Sequence, residues 1–385
     1  MLGLGLEQIA DILSRLESQT ISVHPKQCVR LRHRRATCTR CADACPTHAI
    51  TWSESLQIDS DKCTGCGICA TVCPSGAIEA RSPTNVELLT QVQERAKEQA
   101  AVVFACPKHL KAMESNGAHF IRVNCLGRLD ASILVGAVAA GARSVCLMDG
   151  ACAECPNTTG RAVAAQMAQT ANALLQAWGL SPRIASVSQF APESKTPTRV
   201  SASTQGVSRR AFFDLLARET TKATAITIAS VLGSTNAQEK EEEIKKGELP
   251  TRAPVKQQIL LKCLRRIGKP VVKDWEGNLW AQFGFAVKCN GCQMCAFFCP
   301  TGALTKIEQE GKLGVTFKIA LCTNCRLCQE ICYLKSVTLS MTIDLNKVVD
   351  GTVDTFLMAD AKAAFWRLSP EERFEQTLKS HLGKE

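Results

Sequence analysis

The spacing of its cysteines constrains this chain more than any other feature. Cys63-x2-Cys66-x2-Cys69-x3-Cys73-Pro74 recurs as Cys289-x2-Cys292-x2-Cys295-x3-Cys299-Pro300 and again as Cys322-x2-Cys325-x2-Cys328-x3-Cys332. A fourth, altered copy is Cys28-x9-Cys38-x2-Cys41-x3-Cys45-Pro46. The copies pair off, with 17 residues between Cys45 and Cys63 and 22 between Cys299 and Cys322, so each pair reads as one module. Cysteine makes up 22 of the 385 residues, which raises the possibility of a disulfide framework. The opening Met1-Leu2-Gly3-Leu4 lacks the basic, apolar, small-residue order of a secretory leader. It runs instead into a helical pattern at Leu6, Ile9, Ile12, Leu13 and Leu16. A cytoplasmic location is the expectation, and thiols kept reduced there at this density point to metal.

Three Cys at i, i+3 and i+6 in a tight loop can grip three irons of a cubane, while a fourth at i+10 points away into the next turn, which Pro opens with its φ already set. Zinc sites use two separate C-x2-C pairs, not a third Cys in immediate succession with a Pro-linked fourth. The runs, with the matching tails Pro74-Ser75-Gly76-Ala77-Ile78, Pro300-Thr301-Gly302-Ala303-Leu304 and, more loosely, Pro46-Thr47-His48-Ala49-Ile50, resemble dicluster bacterial-type ferredoxins over residues 28–80 and 285–340. In such runs the fourth Cys ligates the other cluster of the pair. The resemblance therefore implies four [4Fe–4S] clusters: one on Cys63, Cys66, Cys69 and Cys45, one on Cys28, Cys38, Cys41 and Cys73, one on Cys289, Cys292, Cys295 and Cys332, and one on Cys322, Cys325, Cys328 and Cys299.

Two departures stand out. Tyr333 follows Cys332 where Pro is expected, and nine residues, Val29-Arg30-Leu31-Arg32-His33-Arg34-Arg35-Ala36-Thr37, separate Cys28 from Cys38. That basic loop reads either as a solvated insertion or as a docking surface that steers an acidic redox partner. The net charge of +10 would ordinarily suggest nucleic acid. Four thiolates on a cubane core leave about −2 per oxidised cluster, however, so four clusters bring the sum to about +2. No nucleic-acid module is legible, and none is expected to bind.

The segment between the modules has another character. Val102–Ala105, Phe120–Asn124 and Ser144–Met148 are short apolar runs that alternate with Ala-rich helical stretches, Ala131–Ala142 and Arg161–Trp178, the pattern of a small parallel-sheet α/β domain. Phe104-Ala105-Cys106, Cys125-Leu126-Gly127-Arg128-Leu129-Asp130, Gly141-Ala142-Arg143-Ser144-Val145 and Cys155-x4-Gly160 resemble, in that order, the delta subunit of methyl-viologen-reducing hydrogenase. That resemblance implies an electron carrier between a hydrogenase or dehydrogenase and heterodisulfide reductase, with a [2Fe–2S] cluster. At two family Cys positions this chain has His109 and Gly150, and Cys152 stands two residues beyond the second. Three readings stay open: a further cluster on Cys106, Cys125, Cys152 and Cys155, with His109 able to replace a thiolate; a dithiol at Cys152 and Cys155; or a cluster-free docking domain. Cys146 and Cys263 read as core residues.

The expected fold class is α+β and multidomain, two ferredoxin-like dicluster modules and a central small α/β parallel-sheet domain. The expected segments are an N-terminal helix over 1–27, a first module over 28–82, the α/β domain over 98–190, a linker with an amphipathic helix over 191–255, a second module over 256–345 and a helical tail over 346–385. The linker contains Ser208-Arg209-Arg210-Ala211-Phe212-Phe213, which imitates a twin-arginine export signal but lies far from the N-terminus. No apolar run approaches the roughly 18 residues of a membrane span. No nucleotide loop or nucleophile–base pair is legible, so the chain is not expected to be an enzyme by itself. It is expected to be an iron–sulfur electron-transfer subunit that serves hydrogenase-, flavoprotein- or heterodisulfide-reductase-like partners in an anaerobic oxidoreductase complex. Its rival is a redox sensor whose central domain switches by thiol or cluster chemistry.

Overall fold

Both cysteine-rich segments fold on one plan, because each repeats the same order of turn, short helix and strand. A computed structural model describes residues 20–53, 55–113, 119–189, 249–360 and 369–375. The chain divides into two units, Met1–Phe190 with Leu249–Glu385, and Ala191–Glu248, and every described residue belongs to the first.

The first module runs β1 (Ile21–Val23), α1 (Val29–Arg32), α2 (Arg40–Asp43), β2 (Ile50–Trp52), β3 (Leu56–Ile58), α3 (Ile68–Val72) and β4 (Ile78–Ala80). Its first and last strands pair antiparallel, with Ile21 opposite Ala80. The hairpin β2–β3 fills the interval between the two Cys runs, with Ile50 opposite Ile58.

The middle part follows as α4 (Asn85–Glu98), β5 (Ala101–Ala105), α5 (Pro107–Ala112), β6 (Ile121–Arg122), α6 (Ala131–Ala139), β7 (Ser144–Met148), α7 (Gly160–Ala177) and β8 (Ile184–Val187). The four strands form a parallel sheet in the order β6-β5-β7-β8, as the alternating pattern predicts; β8 has no counterpart in that expectation. Thr84 opens α4 with a capping box to Glu87, and Asp130 caps α6 through the Ser132 amide. Helix α6 is apolar all round and buried throughout, as such a helix must be. It packs against α4, α7 and α8 (Val255–Ile267). Cys263 of α8 is buried, and Cys146 of β7 is half-buried against the sheet core.

After α8 the second module runs β9 (Asp274–Glu276), β10 (Gln282–Phe285), α9 (Met294–Phe297), β11 (Leu304–Gln309), β12 (Lys312–Lys318), α10 (Leu327–Ile331), β13 (Val337–Ser340), β14 (Thr342–Asp344), α11 (Leu345–Asp350) and β15 (Val353–Asp360). Here β10 pairs β13 and the hairpin β11–β12 lies between the runs, the plan of the first module again.

Two sequence expectations are corrected. The tail of the expected 1–27 helix is strand β1, and residues 2–16, which carried the helical pattern, lie outside the described residues. The expected helical tail over 346–385 is helix in α11 and again over residues 370–375, but β15 comes between them as a strand along β12 with Phe356 opposite Val315. The reason is pairing: β12 offers a free edge, and Val353, Thr355 and Phe356 suit a half-buried pleat. The twin-arginine look-alike and most of the linker lie outside the described residues.

One backbone turn recurs four times. The third residue after the last Cys of each run has positive φ: His48 at 52°, Gly76 at 67°, Gly302 at 71° and Lys335 at 49°. This left-handed residue turns the chain so that the next amide faces the sulfur, with Ala49 N donating to Cys45 Sγ at 3.4 Å and Ser336 N to Cys332 Sγ at 3.2 Å. Gly meets the requirement without strain, whereas a side chain there costs roughly 1–2 kcal/mol. Lys335→Gly is therefore expected to raise stability by up to about 1 kcal/mol, part of the strain relief being offset by the greater freedom of Gly in the unfolded chain. A thermal melt of the anaerobic protein checks it, and a lower midpoint would mean that the Lys335 side chain itself contributes.

Candidate metal centres

The sixteen thiols of the runs gather in four groups of four. Cys45, Cys63, Cys66 and Cys69 line one cavity (group A), and Cys28, Cys38, Cys41 and Cys73 line another (group B). Cys299, Cys322, Cys325 and Cys328 line a third (group C). Cys289, Cys292, Cys295 and Cys332 lie within electrostatic reach of one another (group D). In every group the first three thiols of one run stand together, and the last Cys of the partner run crosses over to complete the set. Despite its nine-residue gap, Cys28 stands with Cys38, Cys41 and Cys73.

Burial raises several of these thiols, with like charges from their neighbours adding to it: Cys41 and Cys295 are pushed up to about 12 and Cys322 to about 11. Backbone N–H groups act against that rise, among them Ile68 on Cys66, Gly291 on Cys289, Met294 on Cys292 and Leu327 on Cys325. Hydrogen bonds to the charged form favour it. An all-thiol set standing round a cavity, with amides aimed at the sulfurs, suits an iron–sulfur core held by thiolates.

Three of the groups also face a cation. Arg128, 2% exposed, pairs with the buried Asp130 carboxylate at 3.8 Å and, more weakly, feels Cys69 of group A. Its Nη2 donates to Asn85 Oδ1 at 2.7 Å and to Pro83 O at 3.1 Å, while Nε and Nη1 have no hydrogen-bond partner among the described residues. Lys256 Nζ donates to Ala70 O at 3.0 Å and Thr71 O at 2.6 Å. It thereby closes the carbonyl end of α3 beside Cys73 of group B. Arg32 lies against Cys299 and Cys325 of group C.

That position of Arg32 corrects both readings for the first part of the basic loop. Residues 29–32 form α1 rather than a solvated or docking loop, and Arg32 is only 8% exposed. Its guanidinium donates to Phe298 O at 3.4 Å, to Cys299 O at 3.3 Å and to Pro250 O. Val29 and Ala36 pack with Leu327 and Ile331 of the second module, and Thr37 donates twice to the Glu330 carboxylate at 2.9 and 3.0 Å. Arg34 and Arg35 alone among the loop's Arg and Lys residues are exposed. The insertion is an internal joint between modules, which charge and spacing along the chain could not reveal.

In the middle part, the parallel sheet brings the carboxyl ends of β6, β5 and β7 side by side, and ligands gather at such an edge. Cys106 follows β5, Cys125 follows β6, and Cys152 and Cys155 lie in the turn after β7. Burial lifts Cys125 to about 12, with Cys66, Cys155 and Cys152 contributing. Cys152 is raised by burial and then by Cys106, Asp149 and Cys155. His109 is 3% exposed, and neither ring nitrogen has a hydrogen-bond partner among the described residues. Burial lowers its pKa against the pull of Asp149. A Cβ at Gly150 would stand 3.3 Å from His109 Cε1, so the two positions where the chain departs from the family pattern are neighbours in space.

The Cys125-x-Gly-Arg element faces the first module. A Cβ on Gly127 would come within 2.8 Å of Ile68 Cγ1 and 2.9 Å of Gly160 Cα; only the bare backbone allows that approach. Cys66, Ile68, Cys125 and Val163 form one apolar cluster. Asn124 Nδ2 donates to Gly65 O at 2.9 Å, Thr64 Oγ1 to Asn157 Oδ1 at 3.0 Å, and Thr159 Oγ1 to Ala44 O at 2.7 Å. The motif is the surface by which the middle part sits on group A.

Comparison with known proteins agrees with these three parts. The 4Fe-4S dicluster domain family matches residues 34–77 and 288–335, and the family of methyl-viologen-reducing hydrogenase, delta subunit, matches residues 99–205. The chain thus carries two 4Fe-4S dicluster domains flanking a hydrogenase delta-subunit domain. Among similar proteins, one subunit of an ion-translocating oxidoreductase complex from Methanosarcina acetivorans is 49% identical over 45 residues, 11% of this chain and 17% of its own length. An iron-sulfur protein of Rhodospirillum rubrum is 45% identical over 56 residues, 13% of this chain and 30% of its own length. The ferredoxin-type protein NapF of Escherichia coli K12 is 39% identical over 56 residues, 13% of this chain and 34% of its own. The chain therefore spans about a third or less of each of these relatives. No solved structure matches it. The chain is thus similar, over its dicluster domains, to iron–sulfur proteins of the ferredoxin and oxidoreductase-subunit kind, and no helix among the described residues is long and apolar enough to cross a membrane.

Gly127→Ala is expected to force the middle part off the first module and to destabilise the protein by about 1–3 kcal/mol, the usual cost of overpacking. Limited proteolysis and melting check it, and an unchanged melt would show that the contact yields freely.

Proposed function

We propose that the chain is a polyferredoxin-like electron-transfer subunit that holds four [4Fe–4S] clusters, one in each of groups A to D, with the fourth Cys of each run crossing to the partner site. The observation that carries this reading is the convergence of sixteen thiols into four separate groups, each completed by the partner run. The clusters supply one-electron redox chemistry when bound. The residues of the chain hold them, direct amide N–H groups at the sulfurs, and set Arg128, Lys256 and Arg32 where they balance thiolate charge. Its partners on this reading are hydrogenase-, flavoprotein- or heterodisulfide-reductase-like subunits of an anaerobic oxidoreductase complex in the cytoplasm. The chain does no substrate chemistry of its own.

We infer in addition a [2Fe–2S] cluster in the middle part on Cys106, Cys125, Cys152 and Cys155. The mutual influence of these thiols supports it, as does a buried His109 whose two ring nitrogens lack partners, since an unpaired buried polar group is costly. The rival is a thiol switch at Cys152 and Cys155, which is favoured by the half-buried turn on which both lie.

Anaerobically purified protein is expected to contain about sixteen iron and sixteen acid-labile sulfide in its modules, four of each per cubane. Stoichiometric zinc without sulfide would end this reading. Cys299→Ala is expected to lose the cluster of group C, about four iron, while group D keeps its own; loss confined to group D would show that the fourth ligands are not crossed.

For the middle part, Cys125→Ser in the full chain is expected to remove about two further iron, and His109→Ala to leave iron bound. A protein with iron in the modules alone and a reducible Cys152–Cys155 disulfide would favour the switch.

A further inference from the structure

The four groups and the middle-part thiols are not scattered through the unit; each has a definite neighbour. Group A touches the middle part through the shared packing of Cys66 and Cys125. Groups A and B share the core of the first module, where Cys28, Cys41, Cys69 and Cys73 pack together. Groups B and C meet across the joint, where Cys38 and Cys325 pack on the same apolar cluster. Groups C and D are joined by α9 and α10, which pack on each other: α9 carries Cys295 of group D and leads into Cys299 of group C, and α10 carries Cys328 of group C and leads into Cys332 of group D.

The joint between B and C is bridged by two guanidinium groups. Arg32 leaves the loop that follows Cys28 of group B and donates to the carbonyl of Cys299 in group C. Arg40 stands between Cys38 and Cys41 in sequence, and its Nη2 donates to Asn324 O at 3.1 Å, in the loop between Cys322 and Cys325. A residue that sits between two thiols of group B thereby reaches the loop between two thiols of group C. One cation thus serves two groups from different modules.

From these contacts we propose a single-file electron path in the order middle-part site, A, B, C, D, with Arg40 and Arg32 as the positioning residues that couple the two modules. This rests on the four-cluster reading above. Each hop moves one electron: the site left behind is oxidised by one and the next reduced by one, and no proton needs to move. The donor and acceptor are partner redox proteins that carry a flavin or metal cluster, one at each end. The path reaches the surface at the Cys152–Cys155 turn and at group D, whose loop is rimmed by exposed Val287, Met294 and Tyr333.

Magnetic resonance of the fully reduced, anaerobic full-length protein tests the order, because neighbouring paramagnetic clusters split or broaden each other's signals. Cys322→Ala, which strips group C, is expected to remove from the signal of B the splitting due to C while keeping that due to A, to free the signal of D of interaction, and to leave A unaltered. A signal from B identical to the wild type would overturn the order. Cys125→Ser is expected to change the signal of A and no other, and no response in A would remove the middle part from the path. Should Cys322→Ala fail to fold, Arg40→Gln, which is no ligand, is expected to shift the reduction potentials of B and C downward together and to leave A and D unchanged. A shift in one module alone, or none, would overturn the bridge. Iron and sulfide content separates the two levels of failure: a wild-type protein short of four clusters sinks the underlying reading, whereas a full complement without coupling between B and C sinks only the order.

Discussion

Burying thiolate charge is the constraint on which the rest of this structure depends. Removing a charged group from water is costly unless something of opposite sign or a hydrogen-bond donor is at hand, and here burial, with like charges nearby, lifts Cys41 to about 12. The chain answers in two ways. Short loops turn backbone amides onto the sulfurs, a local solution repeated in every run. Cations from distant parts of the chain supply the rest: Arg128 from the middle part to group A, Lys256 from α8 to group B, and Arg32 from the first module to group C. Arg32 and Arg128 are buried, so these two cations work at short range inside the molecule.

Because those cations come from other segments, charge balance also holds the parts together. Arg32 and Arg40 cannot serve group C unless the modules meet, and Lys256 cannot close the end of α3 unless α8 lies across the first module. The consequence is one compact unit in place of three beads on linkers. Breaking such a contact is expected to be felt twice, as lost packing and as an uncompensated charge left in a poorly hydrated place, which is why truncating one partner of a buried pair is strongly destabilising.

The middle part illustrates how a family pattern can shift its use. Cys125, Gly127 and Arg128 belong to one short motif, yet they do different things: a thiol beside Cys66, a bare backbone that admits Ile68, and a buried cation for group A. Where family cysteines are missing, His109 has moved in beside Gly150. The result is a buried imidazole at the sheet edge whose ring nitrogens have no hydrogen-bond partner among the described residues.

The sequence by itself determined the four runs and their pairing, the parallel α/β character between them, helix α7 to within a residue at each end and the start of α6. These are properties of short range: thiol spacing within a loop, apolar periodicity within a helix, and the turn that follows each fourth Cys. Only the tertiary structure decided that the basic insertion is an internal joint, that residues 353–360 pair along β12, that Ile21–Val23 closes the first module as a strand, and that Arg128, Lys256 and Arg32 face particular groups. Each of those rests on contacts between residues from tens to more than two hundred positions apart. A charge run looks the same in a sequence whether it meets solvent or another module, and a strand with suitable residues pairs only if an edge is presented to it. Periodicity reports which face of an element is apolar; which surface covers that face is settled by the packing of the whole chain.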